Sequence, residues 1–180
     1  MRRAVFLDRD GVINRSLAAN GRPVAPKRLK EFRLLPGARR SITRLRRRGF
    51  KIAVVTNQPD VAKGLIDRDE LARMNARLAP LGADVVKVCP HAQDAGCGCR
   101  KPKPGMLRAA ARDLGVALGR SYMVGDRWSD VEAGRAAGCY TVKIERRWSN
   151  ERPSRPDAVV RSLAEAVKHI LEREKRSAKK

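Results

Sequence analysis

Short apolar runs alternate with longer amphipathic stretches along most of the chain. Val5-Phe6-Leu7, Ile52-Ala53-Val54-Val55 and Met123-Val124 are runs of the kind expected for strands buried on both faces. The pattern predicts strands near 4–7, 51–55, 85–88, 121–124 and 140–144, with a short one at 158–160. Between them it predicts helices near 37–48, 67–78, 104–114, 129–137 and 163–174. Pro36-Gly37 and Pro104-Gly105 mark helix starts, and Gly49, Gly115 and Gly138 sit where helices stop. Such alternation predicts an α/β fold, a parallel sheet with helices on both faces. Residues 14–35 are polar and basic without clear periodicity and read as a loop. No repeat, second domain or large cap insertion is visible. The expectation is one domain over 1–174, with 175–180 a basic, disordered tail.

Chemistry collects at the predicted strand ends. Val5-Phe6-Leu7 runs into Asp8-Arg9-Asp10-Gly11, two carboxylates at or just past the strand's end. The second strand ends in Thr56-Asn57-Gln58, and the fourth in Gly125-Asp126 with Asp130 beyond. Arg100-Lys101-Pro102 precedes a predicted helix. Ligands of open α/β sheets bind at the carboxyl ends of the strands. Carboxylates this close repel unless a cation lies between them. A carboxylate cluster beside a hydroxyl and an ammonium suits phosphoryl transfer. Each piece alone has an ordinary structural reading: Asp8 and Asp10 a charged turn, Thr56 a helix cap, Lys101 a solvated surface. Their recurrence in order argues for a site.

A second constellation is Cys89-x-His91-x5-Cys97-x-Cys99. Three thiolates and an imidazole make a closed tetrahedral set, the composition of a structural zinc site. Free thiols, a redox role or disulfides compete with that reading. Cys139 reads as a small core residue.

Composition narrows the classes. The chain has 180 residues with 42% hydrophobic content, enough for a globular core. No apolar run approaches the roughly 20 residues of a membrane span. Met1-Arg2-Arg3-Ala4 feeds directly into the first strand, so a cytoplasmic protein is expected. Forty-one basic against 19 acidic residues give a formal charge of +22, a field that attracts anions. A basic nucleic-acid-binding or end-processing protein is therefore one alternative. Against it, aromatics are only 4%, too few for stacking platforms.

Asp8-Arg9-Asp10-Gly11-Val12, Val55-Thr56-Asn57-Gln58, Lys101-Pro102 and Val124-Gly125-Asp126-Arg127-x-x-Asp130 resemble the four motifs of the haloacid dehalogenase-like phosphatases. The Cys/His cluster is similar to that of their zinc-containing subgroup. The resemblance implies a Rossmann-like fold without a large cap, with one zinc-binding loop over 89–99. It implies a Mg2+-dependent phosphatase with Asp8 as nucleophile and Asp10 as general acid and base. Thr56 and Lys101 would bind the reacting phosphate. Asp8, the Asp10 main chain and Asp126 would hold Mg2+, and Cys89, His91, Cys97 and Cys99 a structural Zn2+. Arg9, Asn57, Gln58, Arg100 and Arg127 are the expected substrate contacts. The subgroup implies a small phosphorylated metabolite as partner, first a heptose 1,7-bisphosphate, with histidinol phosphate as the alternative. A monomer is expected.

Overall fold

The computed structural model describes residues 2–19, 22–146 and 152–177. Its strands are β1 (Ala4–Leu7), β2 (Leu17–Ala19), β3 (Arg22–Val24), β4 (Lys51–Asn57), β5 (Val85–Cys89), β6 (Tyr122–Gly125), β7 (Tyr140–Ile144) and β8 (Ala158–Val160). Its helices are α1 (Ala38–Arg47), α2 (Arg68–Ala76), α3 (Gly105–Leu114), α4 (Trp128–Ala137) and α5 (Leu163–Ser177). Six strands form one sheet in the order β5-β4-β1-β6-β7-β8, every neighbouring pair parallel. The chain builds outward from β1 through β4 to β5, then crosses to the other side of β1 for β6. β1 therefore lies at the point where strand order reverses, which is where such sheets open a crevice.

Alternation along the strands feeds two cores. Val5 and Leu7 of β1 join Ile52, Val54 and Val124 on one face, where Ile42 and Leu45 of α1 and Val167 and Ile170 of α5 cover them. Ala4 and Phe6 point the other way, with Ala53, Val55 and Met123, and meet Met106, Leu107 and Ala110 of α3 and Ala133 of α4. Both faces are sealed, as a parallel sheet requires.

Two expectations differ from the structure. The segment 14–35 is not a plain loop: β2 and β3 pair as a small antiparallel hairpin, Leu17 opposite Val24 and Ala18 opposite Pro23. Strands of three residues are too short to display alternation. The charged end of the chain is also more ordered than expected. α5 continues to Ser177, because Glu174 accepts from the buried Tyr122 hydroxyl at 2.6 Å and pairs with Arg3. Residues 178–180 of the expected tail lie outside the described residues.

Tyr122→Phe should lower the unfolding free energy by about 1.5–3 kcal/mol, the usual value of a hydrogen bond to a charged group. Denaturant unfolding measures it. No change would mean that the end of α5 is not docked.

Candidate active site

Lys101 organises the site. Its ammonium is buried and lies 2.6 Å from Asp8 Oδ1, 2.6 Å from Asp130 Oδ1 and 2.8 Å from the Val55 carbonyl. Asp8 follows β1 and Asp130 lies in the first turn of α4, so the lysine joins neighbouring strand ends across the switch point. The loop before α3 is fixed by Asn57: its amide donates to the Lys101 carbonyl and accepts from the Lys101 N–H, both at 3.1 Å.

Asp8, Asp126 and Asp130 bring one carboxylate oxygen each to within 4.8 Å of one another. Burial, opposed by Lys101, pushes the Asp8 carboxyl up to about 8; Asp130, Asp126 and Asp10 add to the rise. Burial works against the Lys101 charge, but Asp130 and Asp8 outweigh it and hold the ammonium protonated. Three buried acids facing one ammonium are short of positive charge, so a divalent oxygen-seeking cation fits this set. Gly11 makes room for it: at φ +86° it lies so close to Asp126 that a Cβ would fall 2.3 Å from Oδ2. The Arg146 guanidinium grips the Gly11 carbonyl through Nε at 3.2 Å and Nη2 at 2.8 Å.

The Asp10 carboxylate turns away from that cluster. It accepts from Arg9 Nε and Nη2 at 3.1 Å each, from Asn14 Nδ2 at 2.8 Å and from Gln58 Nε2 at 2.7 Å. Two expected substrate contacts lie off the cleft in this structure. Arg9 is completely buried, pairs with Asp10, and donates to Asn75 of α2 at 2.9 Å. Gln58 is buried too and bridges Asp10 to the Thr56 hydroxyl. Both position Asp10. Arg9 and Asp10 turn toward each other and away from the Asp8 cluster, which the spacing did not reveal.

The remaining expected residues share one cleft of about 540 Å³. Asp8, Asp10, Thr56, Asn57, Arg100, Lys101 and Arg127 all line it. Asn57 does so with its amide already committed to Lys101. Arg127 donates to the Pro23 carbonyl at 3.2 Å and so ties the β2–β3 hairpin to the cleft wall. The resemblance implies a substrate-facing loop over 14–35, and Pro23 to Ala25 are the part of it that forms this wall; Trp128, Arg152 and the buried Asn14 beneath Asp10 were not expected. Only the hairpin had a sequence signal: exactly two residues, Asn20-Gly21, separate its strands, a strong turn dipeptide.

The cysteine cluster lies beside the cleft, where Cys97 is part of the lining. Cys89 Sγ is 3.7 Å from both His91 Nδ1 and Cys97 Sγ, and Cys99 Sγ is 3.2 Å from His91 Nδ1 and 3.5 Å from Cys97 Sγ. Tetrahedral bonds of about 2.0–2.3 Å to one ion give edges of about 3.3–3.8 Å. The donors fit zinc in type and spacing. Burial pushes the Cys89 thiol up to about 12. Burial also acts on Cys97, yet the Arg100 N–H and its two sulfur neighbours bring that thiol down to about 6.

Comparison with known proteins agrees with this geometry. Residues 98–166 match the HAD-hydrolase-like family model. A Pseudomonas aeruginosa protein named D-glycero-beta-D-manno-heptose-1,7-bisphosphate 7-phosphatase is 41% identical over 150 residues, 80% of this chain and 82% of its own. The chain belongs to the HAD-like phosphatase family. A second HAD-like phosphatase of the same name, from Photorhabdus laumondii, is 32% identical over 93% of this chain and 94% of its own. Among solved structures, the D,D-heptose 1,7-bisphosphate phosphatase of B. bronchiseptica, complexed with magnesium and phosphate, superposes with a TM-score of 0.82. It is 33% identical, over 96% of this chain and 99% of that one. This HAD-like chain has a six-stranded parallel sheet and, among the described residues, no large cap.

The raised Asp8 carboxyl sets a pH dependence. Its folded value of about 8 exceeds the ordinary 3.8, so the folded state holds its proton more tightly than the unfolded state. The metal-free protein should therefore lose stability, relative to Asp8→Asn, as pH rises through that interval. Mg2+ should narrow the gap at the alkaline end. Thermal melts of both proteins across pH, with and without Mg2+, check this; a gap independent of pH would contradict it.

Proposed function

We propose that the chain is a Mg2+-dependent phosphatase that removes the 7-phosphate of D-glycero-D-manno-heptose 1,7-bisphosphate through an aspartyl-phosphate at Asp8. The observation that carries this reading is the convergence of Asp8, Asp126, Asp130 and Lys101 at the sheet's switch point. The names of the similar proteins supply the substrate.

Asp8 attacks phosphorus, its Oδ–P bond forming as the P–O7 bond breaks. Thr56 and Lys101 donate to the non-bridging oxygens, whose charge grows in the transition state. Asp10, released from Arg9 and protonated, would give its proton to the departing alkoxide and then take one from the water that cleaves the intermediate, which returns it to the protonated form. That water releases phosphate and restores the Asp8 carboxylate. Mg2+, held by Asp8, the Asp10 main-chain carbonyl and Asp126, would neutralise the approaching phosphate and mask the nucleophile's charge. Asp130 holds Lys101 in place. Arg100 and Arg127, with Lys103 on the same cleft, suit a second phosphate and would repel the amine of histidinol phosphate.

We read Cys89, His91, Cys97 and Cys99 as a structural zinc site. Four protein donors leave no position for water, so the metal would fold the loop that presents Lys101 rather than react. Reduced thiols of this kind suit a cytoplasmic enzyme.

Phosphate release from the heptose bisphosphate should require Mg2+ and vanish in Asp8→Asn, whose amide cannot attack. Substantial turnover by that variant would refute the covalent route. Arg127→Ala should lower kcat/KM for the bisphosphate by roughly tenfold to a hundredfold, the loss of a charge-assisted contact. A small monophosphate should lose much less; equal losses would assign Arg127 to the reacting phosphate. Metal analysis should find one zinc per chain, and Cys97→Ser should lower the melting temperature and release it. A zinc-free protein of full stability would end the structural-site reading.

A further inference from the structure

The densest run of positive charge in the sequence lies on α1, which covers one face of the sheet. Between Glu31 and Asp60 the chain has no acidic residue and eight basic ones. Every basic residue from Ala38 to Arg48 is arginine, the side chain that grips phosphate through a planar fork. α1 buries Ala38, Ser41, Ile42 and Leu45. Arg39 and Arg46 bend toward the carbonyls of Pro80 and Gly82, and Arg46 also meets Asp84. Arg40, Arg44 and Arg47 remain on the solvent face at i, i+4, i+7, exposed and without an acidic partner among the described residues. They make a stripe of about 10 Å, the axial span of roughly three nucleotides of one duplex strand.

The stripe continues onto the N-terminal edge of the sheet. Arg3 leads into β1, Arg48 precedes β4, and Arg120 precedes β6, so all three stand at that edge. With Lys175 of α5 they line a shallow hollow of about 320 Å³ in which Glu174 is the single acid, already paired to Arg3.

We propose that this surface docks the phosphate backbone of a double-stranded nucleic acid, without reading sequence, while the cleft stays free. Two observations favour a duplex backbone over other polyanions. No aromatic side chain among the described residues is exposed on this face, so single-strand stacking has no platform. The exposed large apolar residues, Leu34, Leu65 and Val159, belong to none of these elements, so there is no apolar face to enter a membrane.

The test is fluorescence anisotropy with a labelled duplex of about 20 base pairs, titrated at several salt concentrations. The parent should bind with an affinity that falls steeply with salt. Arg40→Gln/Arg44→Gln/Arg47→Gln should bind at least tenfold more weakly, with the salt slope flattened by about one per arginine that meets a phosphate. Its phosphatase kcat/KM should equal the parent's. The control removes the same charge from the other face of the sheet, Arg108→Gln/Arg112→Gln/Arg135→Gln, and should bind like the parent. Equal weakening in the control would reduce the effect to net charge and overturn the proposal. A salt-independent affinity would also overturn it, as would tighter binding to phosphatidylglycerol vesicles than to the duplex.

Discussion

One buried ammonium lets the acidic end of this sheet exist. Asp8, Asp126 and Asp130 crowd together where water is largely excluded, and like charges there are far costlier than at a surface. Lys101 reaches between Asp8 and Asp130 and also satisfies the Val55 carbonyl at the end of β4. It thereby joins the ends of β1 and β4 and the start of α4. Removing either partner from such a pair leaves an uncompensated buried charge, so each member is needed by the others.

Placing that ammonium is the task of two supports on either side of it. Asn57 clamps the Lys101 main chain from β4. The cysteine cluster ends at Cys99, two residues earlier, and its first donor is the last residue of β5. The lysine is thus set by anchors in two adjacent strands, although its own segment has no regular structure. A second relay serves Asp10: Arg9 connects it to Asn75 of α2, and Gln58 connects it to Thr56. Asp8 and Asp10 are two residues apart, yet they are held by different parts of the molecule.

What the sequence revealed follows from where hydrophobic burial dominates. All six strands of the main sheet and all five helices were legible, because long elements must repeat their apolar positions. The carboxylates, Thr56 and Lys101 were legible because each follows such a strand or precedes such a helix. The roles of Arg9 and Gln58 were not: whether a polar side chain turns to solvent or inward depends on partners distant in sequence, such as Asn75. The hairpin escaped because only three residues pair on each side, and the ordered end of α5 because one hydroxyl, on Tyr122, holds a glutamate in an otherwise charged segment.

The uncapped cleft also decides who receives the phosphoryl group. A mutase or transferase must keep its aspartyl-phosphate dry until a chosen acceptor alcohol arrives. Here the surroundings of Asp8 are walled by the β2–β3 hairpin, the end of β4 and the segment after it, the cysteine and Lys101 loops and the start of α4, with no cap domain among the described residues. Bulk solvent outnumbers any alcohol at such an opening. A phosphoryl group carried by Asp8, as proposed above, would therefore pass to water, and a fold able to support group exchange would become an irreversible drain on its substrate.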